Sequence, residues 1–413
     1  MKIDRRFFLK SSGLAMLGIG FAPGFLSRAL AARASPNKKV LIAIFQRGGA
    51  DGLSMVPPIG DPQYYALRPT LAIPRPGDGE LSAVALDDTF GLHPALAPLK
   101  RFYDGGSLAI IHAVGSPKPT RSHFDAQDFM EAGTPGELSQ DGWLNRAMQA
   151  APQNPSSAFR AVALQQNLPR SLFGTVPAVA MGSIGDFKLR TGRLSTLASR
   201  SFESLYTRAL DVAIRNTGSE TFEALHLIED AKLEEMPAQN GAEYPNSPLA
   251  KRLRDIARLI RADIGLEIAA TDCGGWDTHV SQGNAQGQLA GRLKELGDSL
   301  AAFATDLGDQ MADVCVVTMT EFGRTVRENG NRGTDHGTAS AMMVLGGGVR
   351  GRRVLGNWRG LSEPNLYEGR DLAVGTDFRA VLAEVLASHL GISKLTPVFP
   401  GFDRSAAALR LFG

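Results

Sequence analysis

Lys39-Val40-Leu41-Ile42-Ala43-Ile44-Phe45 runs into Gln46-Arg47-Gly48-Gly49-Ala50-Asp51-Gly52, an apolar stretch closed by a glycine-rich turn. A short apolar run without alternation suits a strand buried on both faces of a parallel sheet. Residues 108–114 and 312–319 repeat the pattern, and 266–271 reads as a further strand leading into a second glycine turn. Helical patterns over 94–103, 249–262, 285–307 and 378–389 separate or follow these runs. Strands alternating with helices predict an α/β sandwich with a mainly parallel central sheet, and such sheets place their sites at the carboxyl ends of strands. The stretch 151–248 is different in character. It holds weak strand signals near 159–164 and 178–181, helical patterns over 197–215 and 219–232, and a loop-like segment at 238–248, and it reads as an inserted cap subdomain.

The first 34 residues form a separate unit. Asp4-Arg5-Arg6-Phe7-Phe8-Leu9-Lys10 precedes an uncharged stretch rich in Gly, Ala and Leu, and Ala32-Arg33-Ala34 closes it. Basic, apolar and small-x-small parts in that order make a secretion signal, and the paired arginines resemble the twin-arginine signal of proteins exported already folded. The expectation is handling by the twin-arginine machinery, cleavage after Ala34, a periplasmic or secreted protein spanning 35–413, and no stable transmembrane anchor. The formal charge of +2 falls to about −3 without this leader, so no nucleic-acid partner is implied. Cys273 and Cys315 are the only cysteines, too few for a disulfide scaffold.

Three further segments set carboxylates and imidazoles beside glycine: Gly274-Gly275-Trp276-Asp277-Thr278-His279, Thr320-Glu321-Phe322-Gly323-Arg324 and Gly333-Thr334-Asp335-His336-Gly337. Such groups drawn from separate chain positions are what a metal-dependent hydrolase gathers around one divalent ion. Asp277 and His279 stand two apart, so on extended backbone both side chains point the same way and can bind one ion. Alternatively Asp277 orients His279 by a hydrogen bond, or Asp272 serves as the ligand in its place. Without thiolates, the set is compatible with zinc, manganese, iron or calcium. His93, His112 and His389 read as structural.

Together with Thr120-Arg121-Ser122-His123-Phe124-Asp125-Ala126-Gln127, these motifs resemble in order an exported bacterial family, domain of unknown function 1501, which is placed with the sulfatases and alkaline phosphatases. The resemblance implies an alkaline-phosphatase-like three-layer sandwich whose strand-end carboxylates and histidines hold one or two divalent metals beside a hydroxyl or modified cysteine nucleophile. It implies Asp51 as the first metal ligand, although a Gly-x-Asp-Gly aspartate also bonds its own turn. Glu321 stands where many relatives carry an Asp-His pair and, in place of their aspartate, is itself a candidate metal ligand. Either His336 completes the site with Asp277 and His279, or Asp335 and His336 form a second pair. The nucleophile of such enzymes lies at a helix N-terminus, a place held here by Thr120 and Ser122; Ser122 reads equally as a helix cap with Asp125. No cysteine stands there, so a formylglycine made from one is excluded. His123 is then a ligand or a proton donor, Arg121 an oxyanion clamp, and Arg47 and Arg324 bind the anion. The implied activity is hydrolysis of phosphate or sulfate esters of a small molecule or polysaccharide. The alternative is a non-catalytic exported scaffold that binds metal or anion in an envelope or polysaccharide complex.

Overall fold

The computed structural model describes residues 39–137, 139–151, 159–185, 232–403 and 409–413. The leader expected at 1–34, the helix expected over 197–215 and nearly all of that over 219–232 lie outside the described residues. In chain order the strands are β1 (Val40–Gln46), β2 (Val84–Ala85), β3 (Gly91–Leu92), β4 (Leu108–Gly115), β5 (Ala161–Leu164), β6 (Val179–Met181), β7 (Ile268–Cys273), β8 (Val314–Met319), β9 (Ser340–Gly346), β10 (Arg353–Leu355), β11 (Leu366–Tyr367), β12 (Asp371–Leu372) and β13 (Thr376–Asp377). Among the described residues one sheet runs β10-β4-β9-β8-β1-β7-β5-β6, with β13 beside β4. Only β9 runs against its neighbours.

β1 lies inside this sheet, and all of its residues are buried. Its side chains alternate between two apolar layers, as strand geometry requires. Val40, Ile42 and Ile44 meet Leu253 and Ile256 of helix Pro248–Arg261 and Leu293 and Leu296 of helix Gln288–Leu307. Leu41, Ala43 and Phe45 meet Leu144 and Met148 of helix Trp143–Ala150 and Val381 and Val385 of helix Phe378–Ser388. Each fully buried Leu, Ile or Val contributes about 1.5–3 kcal/mol, so covering both faces is what holds the three layers together.

Two expectations change in detail. The helix expected over 94–103 begins as a 3₁₀ turn, Pro94–Leu99, and becomes α-helical only at Lys100–Asp104, because Pro98 lacks the amide an α-helix needs there. The stretch 151–248 is not an insertion throughout. β5 pairs with β7 and β6 with β5, all in parallel, so this segment supplies the sheet edge beyond β7. All four residues of β5 are buried, and a short apolar strand of that kind belongs in the sheet.

His93 and His112 serve the fold. His93 Nδ1 accepts from the amide of Ala95 and caps the 3₁₀ turn, while His112 Nε2 lies 3.1 Å from the carbonyl of Val56. Burial pushes the His112 imidazole down to about 4. Cys273 and Cys315 are both free, and β1 separates them: Cys273 is in register with Gln46 and Cys315 with Leu41, near the opposite end. No helix of the described residues is long and apolar enough to cross a membrane.

Candidate metal centre

The carboxyl ends of β1, β4, β7 and β8 open on one edge of the sheet, and the connections that follow them carry every quoted motif. The long connection after β8 carries two, and Gly333-Thr334-Asp335-His336-Gly337 folds back on its first part through a bridge between Arg324 and His336. Gly48 has φ 123°, and a Cβ there would stand 2.7 Å from the amide nitrogen of Asp277. Glycine is required for so close an approach.

Arg324 locks these loops together. It is 1% exposed, and its guanidinium donates to the carbonyls of Gly49 at 2.7 Å, Trp276 at 3.0 Å and Thr334 at 3.0 Å, to the carbonyl of Gly48, and to Asp277 Oδ1. It was expected to bind an anion. With five acceptors around it, its chemistry is to hold three loops and one carboxylate.

His123, Asp277 and His336 converge, each offering one ligand atom within 4.8 Å of the others. His123 opens helix His123–Ala132, whose N-cap is Ser122. Its Nε2 lies 3.5 Å from Asp277 Oδ2, and its Nδ1 lies 2.9 Å from Glu321 Oε1. His336 Nε2 lies 3.1 Å from Asp277 Oδ1, and its Nδ1 faces the carbonyl of Arg121 at 2.9 Å. His279 Nε2 adjoins the same group, 3.0 Å from Asp277 Oδ1 and 2.9 Å from His336 Nε2. Burial works against the charge on Asp277, but the Arg324 guanidinium, with His336 and His279, outweighs it and holds the carboxyl below its ordinary range.

These donors suit a divalent cation on two counts. His123 Nε2 is buried and has no hydrogen-bond partner among the described residues, a costly arrangement for a ring nitrogen with only protein around it. His279 and His336 also bring their Nε2 atoms within 2.9 Å of one another and close to the same carboxylate oxygen. Two N–H groups pointed at each other at that distance would collide, so one of the two nitrogens presents a lone pair, either to the other's proton or to an ion lying to the side of both. Imidazoles with a single carboxylate favour a transition ion of the zinc or iron type over calcium, which wants six or more oxygens.

The remaining expected residues lie around this cluster or apart from it. Asp335 Oδ1 faces His279 Nδ1 at 3.2 Å and accepts from Asn329, whose amide is the first reason its carboxyl is lowered. Asp51 is elsewhere. It was expected to be the first ligand, but both its oxygens are taken by Arg68 at 2.6 and 3.0 Å, with Ser54 and Gln282 adding hydrogen bonds of 2.7 Å, and nothing of it is exposed. Burial would raise its carboxyl, and Arg68 reverses that and holds it low. Asp272 is likewise held by Arg47 and Arg252. Arg47, expected to bind an anion, donates to Asp272 at 2.8 Å, Gln127 at 3.0 Å and Glu131 at 3.0 Å. Arg121 pairs with Glu368 at 2.7 Å and Asp371 at 2.8 Å, and its side chain is 39% exposed.

Ser122 Oγ accepts from the amide of Asp125 as a helix cap, and Thr120 Oγ1 accepts from the amide of Ser122. Neither hydroxyl bonds to the histidine cluster. Two contributors escaped sequence reasoning. Gln127 stands four positions after His123, so helical spacing could have placed it on the same face. Arg68 has no such signal, because only the tertiary fold brings it to Asp51.

No curated protein matches the chain in sequence. Among solved structures it is similar to a sulfatase, PsFucS1, from Pseudoalteromonas sp., at 10% identity and TM-score 0.41 over 94% of this chain and 76% of that one. It is similar to the C-terminal periplasmic domain of EcEptC from Escherichia coli, solved with Zn, at 10% identity and TM-score 0.41 over 92% and 89%. It is also similar to the alkaline phosphatase of the Antarctic bacterium TAB5, at 10% identity and TM-score 0.32 over 76% and 93%. At these values the likeness is one of general chain course. The sequence itself is decisive: residues 107–398 match the model of the family described as protein of unknown function DUF1501, and the chain belongs to that family.

Proposed function

We propose that this protein is an exported metal-dependent hydrolase of phosphate or sulfate esters, periplasmic or secreted by the twin-arginine route. The observation that carries the reading is the convergence of His123, Asp277 and His336 at the carboxyl edge of the sheet, with the unpartnered His123 Nε2 among them. His123, Asp277 and His336 would hold the ion, with His279 beside them. A divalent cation supplies Lewis acidity toward an ester oxygen when bound in such a set.

The chain's own residues supply the rest. Arg324 fixes Asp277 so that its carboxylate need not reorganise. Of the three arginines considered for the anion, Arg121 fits best. Its ion pair with Glu368 is exposed, and such pairs contribute only about 0–1 kcal/mol; its other partner, buried Asp371, keeps Arg370 as counter-ion when the Arg121 guanidinium turns toward a phosphate or sulfate group. Thr120 and Ser122 flank Arg121 and are the hydroxyls proposed for a covalent step. Each accepts a backbone amide and keeps its own proton to give. His279 and Asp335, at the exposed side of the cluster, are placed to exchange protons with solvent.

The test combines elemental analysis of the purified protein with turnover of p-nitrophenyl phosphate and p-nitrophenyl sulfate. Bound divalent ion, turnover abolished by chelation and restored by metal, and loss of both in His336→Ala are expected. Stoichiometric metal without turnover of any phosphate or sulfate ester tried would move the reading to a binding scaffold. That second reading is favoured by one observation: Arg47 and Arg324 are already committed to carboxylates.

A further inference from the structure

We infer that Glu321 is not a metal ligand but the residue that sets His123, fixing its proton on Nδ1 so that Nε2 presents a lone pair to Asp277 and His336. This rests on the reading of the cluster as a metal centre and assigns a role that the sequence pattern placed differently.

The argument is one of donors and acceptors. Glu321 is the second residue after β8 and is 1% exposed. Its Oε1 receives the backbone amide of Gly48 at 2.8 Å, a group that can only donate. It also receives Gln127 Nε2 at 2.9 Å. The orientation of that amide is itself fixed, because Arg47 Nη1 donates to Gln127 Oε1 at 3.0 Å. Its other oxygen faces the hydroxyl of Thr320 at 3.0 Å. Glu321 Oε1 is therefore an acceptor, and the His123 nitrogen facing it at 2.9 Å must bring the proton. In a neutral imidazole that leaves Nε2 as the lone-pair atom, and Nε2 is the buried atom without a hydrogen-bond partner. A carboxylate behind a ligating histidine orients the ring and raises its basicity, and removing such a partner typically weakens metal affinity about 10–100-fold. With its oxygens turned to Gly48, Gln127, Thr320 and His123, Glu321 is built to support, not to ligate.

The test uses metal-free full-length protein labelled with nitrogen-15 histidine, and zinc titration of wild type, Glu321→Ala, Glu321→Gln, His123→Ala and the double variant Glu321→Ala/His123→Ala. The His123 resonances, identified by their loss in His123→Ala, should show the Nδ1–H tautomer in wild type and lose it in Glu321→Ala. Zinc affinity should fall about 10–100-fold in Glu321→Ala. Glu321→Gln retains an acceptor oxygen, so it should keep the tautomer and bind within a few-fold of wild type. Glu321→Ala should add nothing once His123 is gone. Additive losses, or a loss in Glu321→Gln as large as in His123→Ala, would make Glu321 a ligand and overturn the inference. An unchanged tautomer in Glu321→Ala would overturn it as well. Should Glu321→Ala fail to fold, the Glu321→Gln arm decides alone. If wild type binds no zinc yet shows the tautomer and its dependence on Glu321, the metal-centre reading falls and the positioning role stands.

Discussion

Arg68→Met isolates the difference between an aspartate that binds metal and one that holds the fold. Arg68 and Asp51 are both fully buried, and the arginine makes five hydrogen bonds: two to Asp51 at 2.6 and 3.0 Å, one to Ser54 at 3.0 Å, and one each to the carbonyls of Thr325 and Val326 at 2.8 Å. Methionine fills much of the volume but leaves a carboxylate with no counter-ion in a site without water access. Breaking a buried pair from one side costs about 3–5 kcal/mol. The stranded carbonyls push the total toward the upper end. At about 2.1 cal/mol/K per residue, the 413-residue chain has a melting entropy near 0.9 kcal/mol/K, so a loss of ~4 kcal/mol lowers Tm by roughly 5 °C. Differential scanning calorimetry of the metal-free protein measures it directly. Zinc stoichiometry of the folded variant should stay at the wild-type value, since Asp51 bonds to Arg68, Ser54 and Gln282 and to no residue of the cluster. A Tm change below about 1 °C, or loss of bound metal at temperatures where the variant remains folded, would refute this placement of Asp51.

The same pair has an acid signature: the Asp51 carboxyl is held below its unfolded value of 3.8, so its stabilisation is complete above that value and is lost as pH falls from there through the lower folded value. Acid unfolding curves of wild type and Asp51→Asn should therefore converge only on the acid side of pH 3.8. Gly48→Ala should weaken zinc binding at least tenfold by isothermal titration, because its Cβ would press on the Asp277 amide from 2.7 Å; unchanged affinity would show that the turn can yield. Burial pushes the Cys315 thiol up to about 12, so it should resist a thiol reagent at pH 8 until denaturant is added, and rapid labelling of native protein would contradict its place inside β8.

The architecture was legible because its cues are local. Val40 to Phe45 are apolar without alternation, and only a strand covered on both faces tolerates that; the helical pattern over 249–262 likewise matches helix Pro248–Arg261. The Gly-flanked histidines were legible for the same reason, since a glycine beside a strand end marks where backbone must bend. What sequence could not convey is who pairs with whom. Arg47, Arg121 and Arg324 look alike as formal charges, yet one ties a helix to a strand, one lies half in solvent, and one is walled in by carbonyls. The family resemblance implies Asp51 as a ligand after β1, whereas Arg68, seventeen positions later, decides its chemistry. The strands β5 and β6 leave weak signals near 159–164 and 178–181, but with four and three residues they are too short for periodicity to show that they join the main sheet.

His123 and its carboxylate are 198 positions apart in the chain. A ribosome adding about 5–20 residues per second leaves that imidazole without its anchor for roughly 10–40 s. Through that interval His123 is an ordinary ring that any stray ion can visit, and Asp277 arrives without the arginine that will aim it. On the reading of this cluster as a metal centre, discrimination among ions begins only when β8 has docked beside β1 and the loop bearing His336 has closed. The choice of metal would then be a late event in the life of the chain, made in whichever compartment folding is completed.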